Sequence, residues 1–175
     1  MDSLPKRKTN RLTGYDHSRP GCYFVTICAK NRRYLFWDEF DWRVGAACGR
    51  PRLSPIGTIV EKEIHRLSQI YSMVCVDKFV VMPNHIHLLI RIRFSESGRP
   101  QAAPTLSQII NQFKGSATKR AGYILWQKGY HDHIIRSEAD YLRIWDYIDT
   151  NPAKWREDRF YSGARMVRPV TPPPV

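Results

Sequence analysis

Val80-Val81-Met82-Pro83-Asn84-His85-Ile86-His87-Leu88-Leu89-Ile90 is the stretch on which the fold turns. The run carries two histidines and continues to Ile92 with the composition of a strand. Residues two apart on a strand point to one face, so His85, His87 and Leu89 share a face and Ile86, Leu88 and Ile90 share the other. The second set is a core face, and the first sets two imidazoles side by side. A strand histidine is ordinarily a hydrogen-bonded structural residue, but two at this spacing are also near enough to ligate one metal ion. Pro83-Asn84 reads as a turn, which makes residues 79–82 and 85–92 the arms of a hairpin.

Upstream, Ser54 is placed to cap a helix that Pro55 opens, with the stripe Ile56, Ile59, Val60, Ile64 and Leu67 running to about Tyr71. Residues 22–29 (CYFVTICA) form a first strand and 73–82 a second. Between them, Trp37, Phe40 and Trp42 ask for burial while Gly45, Gly49 and Pro51 break any long element. Downstream, a polar loop over 93–103 leads to a helix over 106–121, with Leu106, Ile109, Ile110 and Phe113 facing inward. Its Gly115-Ser116 leaves room for a close backbone approach. A strand over 131–136 follows, then a helix over 138–150 capped by Ser137 and closed by Asn151-Pro152, since the residue before proline resists the helical region. The order β-α-β-β-α-β plus a helix is the split βαβ pattern, which predicts an α+β fold with a ferredoxin-like antiparallel sheet. Two helices would cover one face, and the additional C-terminal helix would cross the histidine face. One domain is expected over 1–161 with a basic arm at 1–11, followed by a Pro-rich, extended and mobile tail at 162–175.

Lys and Arg total 28 against 16 acidic residues, a net charge of +12 in 175 residues with a pI near 9.8. Such an excess points to a polyanion partner, most simply nucleic acid. No stretch is long and apolar enough to span a membrane, and residues 1–11 lack the apolar core of a signal peptide, so a cytoplasmic protein with no membrane partner is expected. Cys22, Cys28, Cys48 and Cys75 form no C-x-x-C pair and read as reduced.

A second constellation lies on the last helix. Tyr147 and Asn151 are four apart and so share a helical face, about 5–6 Å apart at Cβ. A tyrosine phenol can attack a phosphodiester and conserve its energy in a phosphotyrosine. A metal polarises the phosphate and stabilises the leaving oxygen. His85 and His87 would supply two ligands and the Asn151 amide oxygen a third. Tyr130 and Tyr141 are rival nucleophiles, each without a carboxamide four residues on. His131-Asp132-His133 is a second H-x-H, with a charged middle residue, and His133 is an accessory candidate for the site.

Gly14-Tyr15-Asp16, Tyr23-Phe24-Val25-Thr26, Val81-Met82-Pro83-Asn84-His85-Ile86-His87, Phe113-Lys114, Asp132-His133-Ile134-Ile135-Arg136 and Tyr147-Ile148-Asp149-Thr150-Asn151-Pro152 run in order from about Arg11 to Trp155. In this the chain resembles the single-tyrosine His-hydrophobic-His transposases, and most of all the branch associated with repetitive extragenic palindromes, the REP-associated tyrosine transposases. The resemblance implies Mg²⁺ or Mn²⁺, single-stranded DNA with hairpins as partner, and strand cleavage and rejoining through a 5′-phosphotyrosine made by Tyr147. It leaves monomer and homodimer open. In the wider family the third metal ligand is often Gln, where this chain has Asn151. Arg7, Lys8, Arg11, Lys30, Arg32, Arg33, Lys114, Lys119, Arg120 and Arg136 are the candidates for DNA contact. A replication initiator or relaxase of the wider group would use similar chemistry. A non-catalytic hairpin-binding protein would keep the fold without cleavage. An RNA-binding module on the same fold would carry exposed aromatics where His85 and His87 stand.

Overall fold

The computed structural model describes residues 20–38, 51–93 and 104–161. The basic arm, the Pro-rich tail, Phe40, Trp42 and Cys48 lie outside them. The chain runs β1 (Gly21–Cys28), α1 (Pro55–Ile70), β2 (Val74–Val81), β3 (His85–Ile92), α2 (Leu106–Ala121), β4 (His131–Ile135) and α3 (Glu138–Thr150), with single 3-10 turns at Lys30–Arg32 and Trp155–Glu157. The sheet is antiparallel in the order β2-β3-β1-β4, which puts the two-histidine strand at its centre. The fold is α+β, as the element order predicts.

β3 is buried on both faces because both are covered. Ile86, Leu88 and Ile90 join Tyr23, Val25 and Ile27 beneath α1 and α2, against Val60, Ile64, Ile109 and Phe113. Leu89 lies on the opposite side with Ile144 and Ile148 of α3. The Ser54 side chain accepts the Gly57 N–H at 3.0 Å and starts α1, while Thr105 and Gln108 close a capping box on α2.

Two local expectations need correction. Gly115 faces open space, so nothing approaches it closely; the tight approach is at Gly57, where a Cβ would lie 2.0 Å from the Phe36 carbonyl oxygen. Asn151 keeps helical angles (φ −55°, ψ −44°) and donates its N–H to Tyr147 O. The helix ends instead because Pro152 has no N–H to continue the ladder. Pro83-Asn84 connects β2 and β3 as expected, and Asn84 is buried there.

Candidate active site

The register brings polar side chains into a row beneath α3. Thr26 of β1 sits opposite His87 on one side and His131 on the other, and Cys28 sits opposite His85. His85 and His87 are 0% and 1% exposed, so each must have partners. His87 Nδ1 is 2.9 Å from Thr26 Oγ1, and His85 Nδ1 is 2.9 Å from Asn84 Oδ1. The Asn84 amide nitrogen donates to the carbonyls of Phe160 and Arg32, which leaves its oxygen as the group facing His85. His85 therefore carries its proton on Nδ1 and presents a lone pair at Nε2. The Thr26 hydroxyl serves either tautomer of His87. The two Nε2 atoms face each other at 3.0 Å. Burial, then the neighbouring imidazole and Arg159, pushes the His85 pKa well below 6.5; burial and Arg159 hold His87 at about 3. Both rings are neutral near pH 7, the form that ligates metals.

Tyr147 reaches this pair from α3. Its hydroxyl is 3.4 Å from His87 Nε2 and 3.4 Å from Asp158 Oδ2, and its ring meets those of His87 and Phe24 edge-on. Burial and then the Asp158 charge raise the phenol pKa above 10, while the Asn151 amide and Arg159 pull it down. Asn151 is buried, and its side-chain oxygen has no hydrogen-bond partner. The rival tyrosines are committed elsewhere. Tyr130 is buried among the residues beneath α1 and α2, with its hydroxyl 3.1 Å from Ser107 Oγ; Tyr141 donates to Asp77 Oδ2 at 3.1 Å.

The donor set fits a divalent cation. Among the described residues, His85, His87 and Asp158 each offer one ligand atom, all within 4.8 Å of one another. Facing imidazole nitrogens, a carboxylate oxygen and an unpartnered buried amide oxygen concentrate lone pairs at one place. Asp158 and Arg159 were not singled out from sequence, where they are two charged residues after a short turn with no spacing that ties them to a histidine strand some seventy residues earlier. Two clefts of about 440 Å³ each flank Tyr147, and Arg143 and Arg159 border both. Phe24, Thr26, His87 and His133 line the first; Asn151, Lys154 and Asp158 line the second.

The candidate DNA contacts separate. Lys30 and Arg32 are exposed on the 3-10 turn after β1, and the Arg32 guanidinium lies over the Phe160 ring at 4.9 Å. Arg136 is exposed after β4, and Arg33 is half-buried. The α2 cations lie on the helix layer, across the sheet from the histidines. There Lys114 donates to the carbonyls of Gln127 and Gly129, and Arg120 pairs with Glu63 at 2.6 Å, while Lys119 is exposed. Arg7, Lys8 and Arg11 lie outside the described residues. His133, exposed, is bonded to Asp140 at 2.7 Å and is not part of the donor group.

An uncharacterized protein of Haemophilus influenzae is 32% identical to this chain over 174 residues, covering 89% of this chain and 93% of its own length. A second protein of that organism, provisionally named a REP-associated tyrosine transposase, is 28% identical over 151 residues, covering 79% of this chain and 74% of its own. By this second relative the chain is similar to the REP-associated tyrosine transposases. A solved REP-associated tyrosine transposase, bound to a REP hairpin, superposes with a TM-score of 0.55 at 19% identity, over 77% of this chain and 68% of that one. At this identity the likeness is one of fold. No family model matches the chain. The relatives support a transposase-type enzyme, and no helix among the described residues is long and apolar enough to cross a membrane.

Proposed function

We propose that this transposase cleaves and rejoins single-stranded DNA beside hairpins through a 5′-phosphotyrosine on Tyr147. His85 and His87 would hold Mg²⁺ or Mn²⁺, with Asn151 as a further donor, and the enzyme would work in the cytoplasm. The observation that carries this is the Tyr147 hydroxyl standing 3.4 Å from the Nε2 atom of His87, itself 3.0 Å from that of His85. A nucleophile and a pair of metal ligands so close act on the same phosphate. The hairpin held by the solved fold relative supports the partner, and the net charge of +12 supports a polyanion of some kind.

Tyr147 Oη forms a bond to phosphorus while the bond from phosphorus to the 3′ oxygen breaks. The phenol proton leaves to solvent through the open cleft, and the departing oxygen takes up a proton as a 3′-hydroxyl. Bound Mg²⁺ or Mn²⁺ supplies Lewis-acid polarisation of the phosphate. α3 holds the ring in line by packing Ile144 and Ile148 against the sheet, and Phe24 fixes its tilt. Arg143 and Arg159 border both clefts, where they would take strand phosphates on either side of the scissile one. Attack by another 3′-hydroxyl reverses the step and joins the strands without ATP.

Tyr147→Phe removes only a hydroxyl. On a denaturing gel with labelled hairpin DNA and Mn²⁺, the wild type should give a protein-linked band and the variant none, with hairpin binding within about twofold of wild type. A covalent band from the variant would assign the chemistry to another group.

A further inference from the structure

The protein carries a carboxylate at its candidate centre that neither the His-x-His strand nor the Tyr147–Asn151 pair announces. Asp158 is only 3% exposed on its side chain. Its Oδ1 accepts the Phe160 N–H at 2.7 Å, which fixes the rotation of the carboxylate. Its Oδ2 is then presented to His85 Nε2 at 3.9 Å and to the Tyr147 hydroxyl at 3.4 Å. Among the described residues no lysine or arginine pairs with it at ion-pair distance. A buried carboxylate in that position needs a cation to offset its desolvation.

One side chain sets both halves of the arrangement. Asn84 holds His85 through Oδ1 and donates through Nδ2 to the Phe160 carbonyl at 2.9 Å, so the histidine and the segment bearing Asp158 are positioned together. Charge points the same way. Two imidazoles and a carboxamide are neutral donors, whereas Mg²⁺ and Mn²⁺ favour anionic oxygen.

Building on the metal-dependent reading of this site, we propose that Asp158 is the anionic ligand of the ion held by His85 and His87, and that it sets the affinity more than Asn151 does. Asp158→Asn keeps the shape and the acceptor for the Phe160 N–H but removes the charge. Mn²⁺ binding to the full chain, read from the paramagnetic resonance signal of free Mn²⁺, should weaken about tenfold or more in this variant, the scale seen when a metal site loses a supporting partner. Asn151→Ala should weaken it less. Far-UV circular dichroism should match wild type in both. Asp158→Glu keeps the charge and should stay closer to wild type than Asp158→Asn, which preserves the test if the Asn variant misfolds. Wild-type affinity in Asp158→Asn, an equal loss in Asp158→Glu, or a larger loss in Asn151→Ala would overturn the assignment. Failure of the underlying reading would look different: wild type and His85→Ala/His87→Ala would then take up Mn²⁺ equally.

Discussion

The two faces of β3 are both covered and chemically opposite. Beneath α1 and α2, Ile86, Leu88 and Ile90 pack into an apolar core. Beneath α3, His85 and His87 alternate with them along the same strand, joined by the buried polar groups Thr26, Asn84 and Asn151. The apolar face gains stability from removing hydrocarbon from water. The polar face gains little, because every buried polar atom must be compensated by a partner. It fixes geometry instead: Asn84 Oδ1 and Thr26 Oγ1 each hold one Nδ1, and the two Nε2 atoms face each other. Neighbouring residues of one strand thus divide stability and chemistry between them.

Substitution at neighbouring positions breaks the comparison most sharply. If the proposed chemistry holds, His87→Ala should lower covalent adduct formation by more than about 10³-fold, since the proposed ligand nearest the proposed nucleophile is lost. Its helical and sheet signal in circular dichroism should remain, because the imidazole borders an open cleft that water can refill. Coordinate loss of fold would return His87 to a purely structural role. Leu88→Ala should do the reverse. It opens a cavity in a closed core and should cost about 2–5 kcal/mol, read from the urea midpoint, with adduct yield per folded molecule unchanged.

The smallest effect concerns the polar group that the helix layer does bury. Glu63 on α1 is 2% exposed and pairs with Arg120 of α2 at 2.6 Å and Arg66 at 3.1 Å. Burial alone would raise its pKa, but hydrogen bonds from Ser116 and Arg66 and the Arg120 charge outweigh it and leave the pKa below 4.5. A carboxyl whose folded pKa is depressed contributes stability above its unfolded value and loses it as pH falls through the folded one. Glu63→Gln should therefore cost about 1–3 kcal/mol at pH 7, with the difference from wild type closing as pH drops below about 4.5. Denaturant midpoints across that range check it, and a pH-independent difference would mean that packing rather than charge holds α1 to α2.

Elements set by local pattern were readable from the chain alone. The bounds of β3, α2 and α3 agree with the sequence reading because a cap, a proline or a change of period marks each end. That His85 and His87 share a face follows from the period of a strand, and that Tyr147 and Asn151 share one follows from the period of a helix. The element order also gave the sheet its topology. Other features rest on where distant segments return. The juxtaposition of Tyr147 with His87 depends on α3 crossing the open face of the sheet, and the exclusion of Tyr130 and Tyr141 depends on partners that no spacing shows. The cations of α2 looked equivalent to those after β1 until the sheet stood between them and the histidines. Asp158 joins the site because the chain doubles back after Pro152 and Asn84 binds the Phe160 carbonyl. Sequence determined which side chains share a face, since that needs only the local period of the backbone. Tertiary structure decided which faces meet, since that depends on long-range packing and hydrogen bonds that leave no periodic trace in the chain.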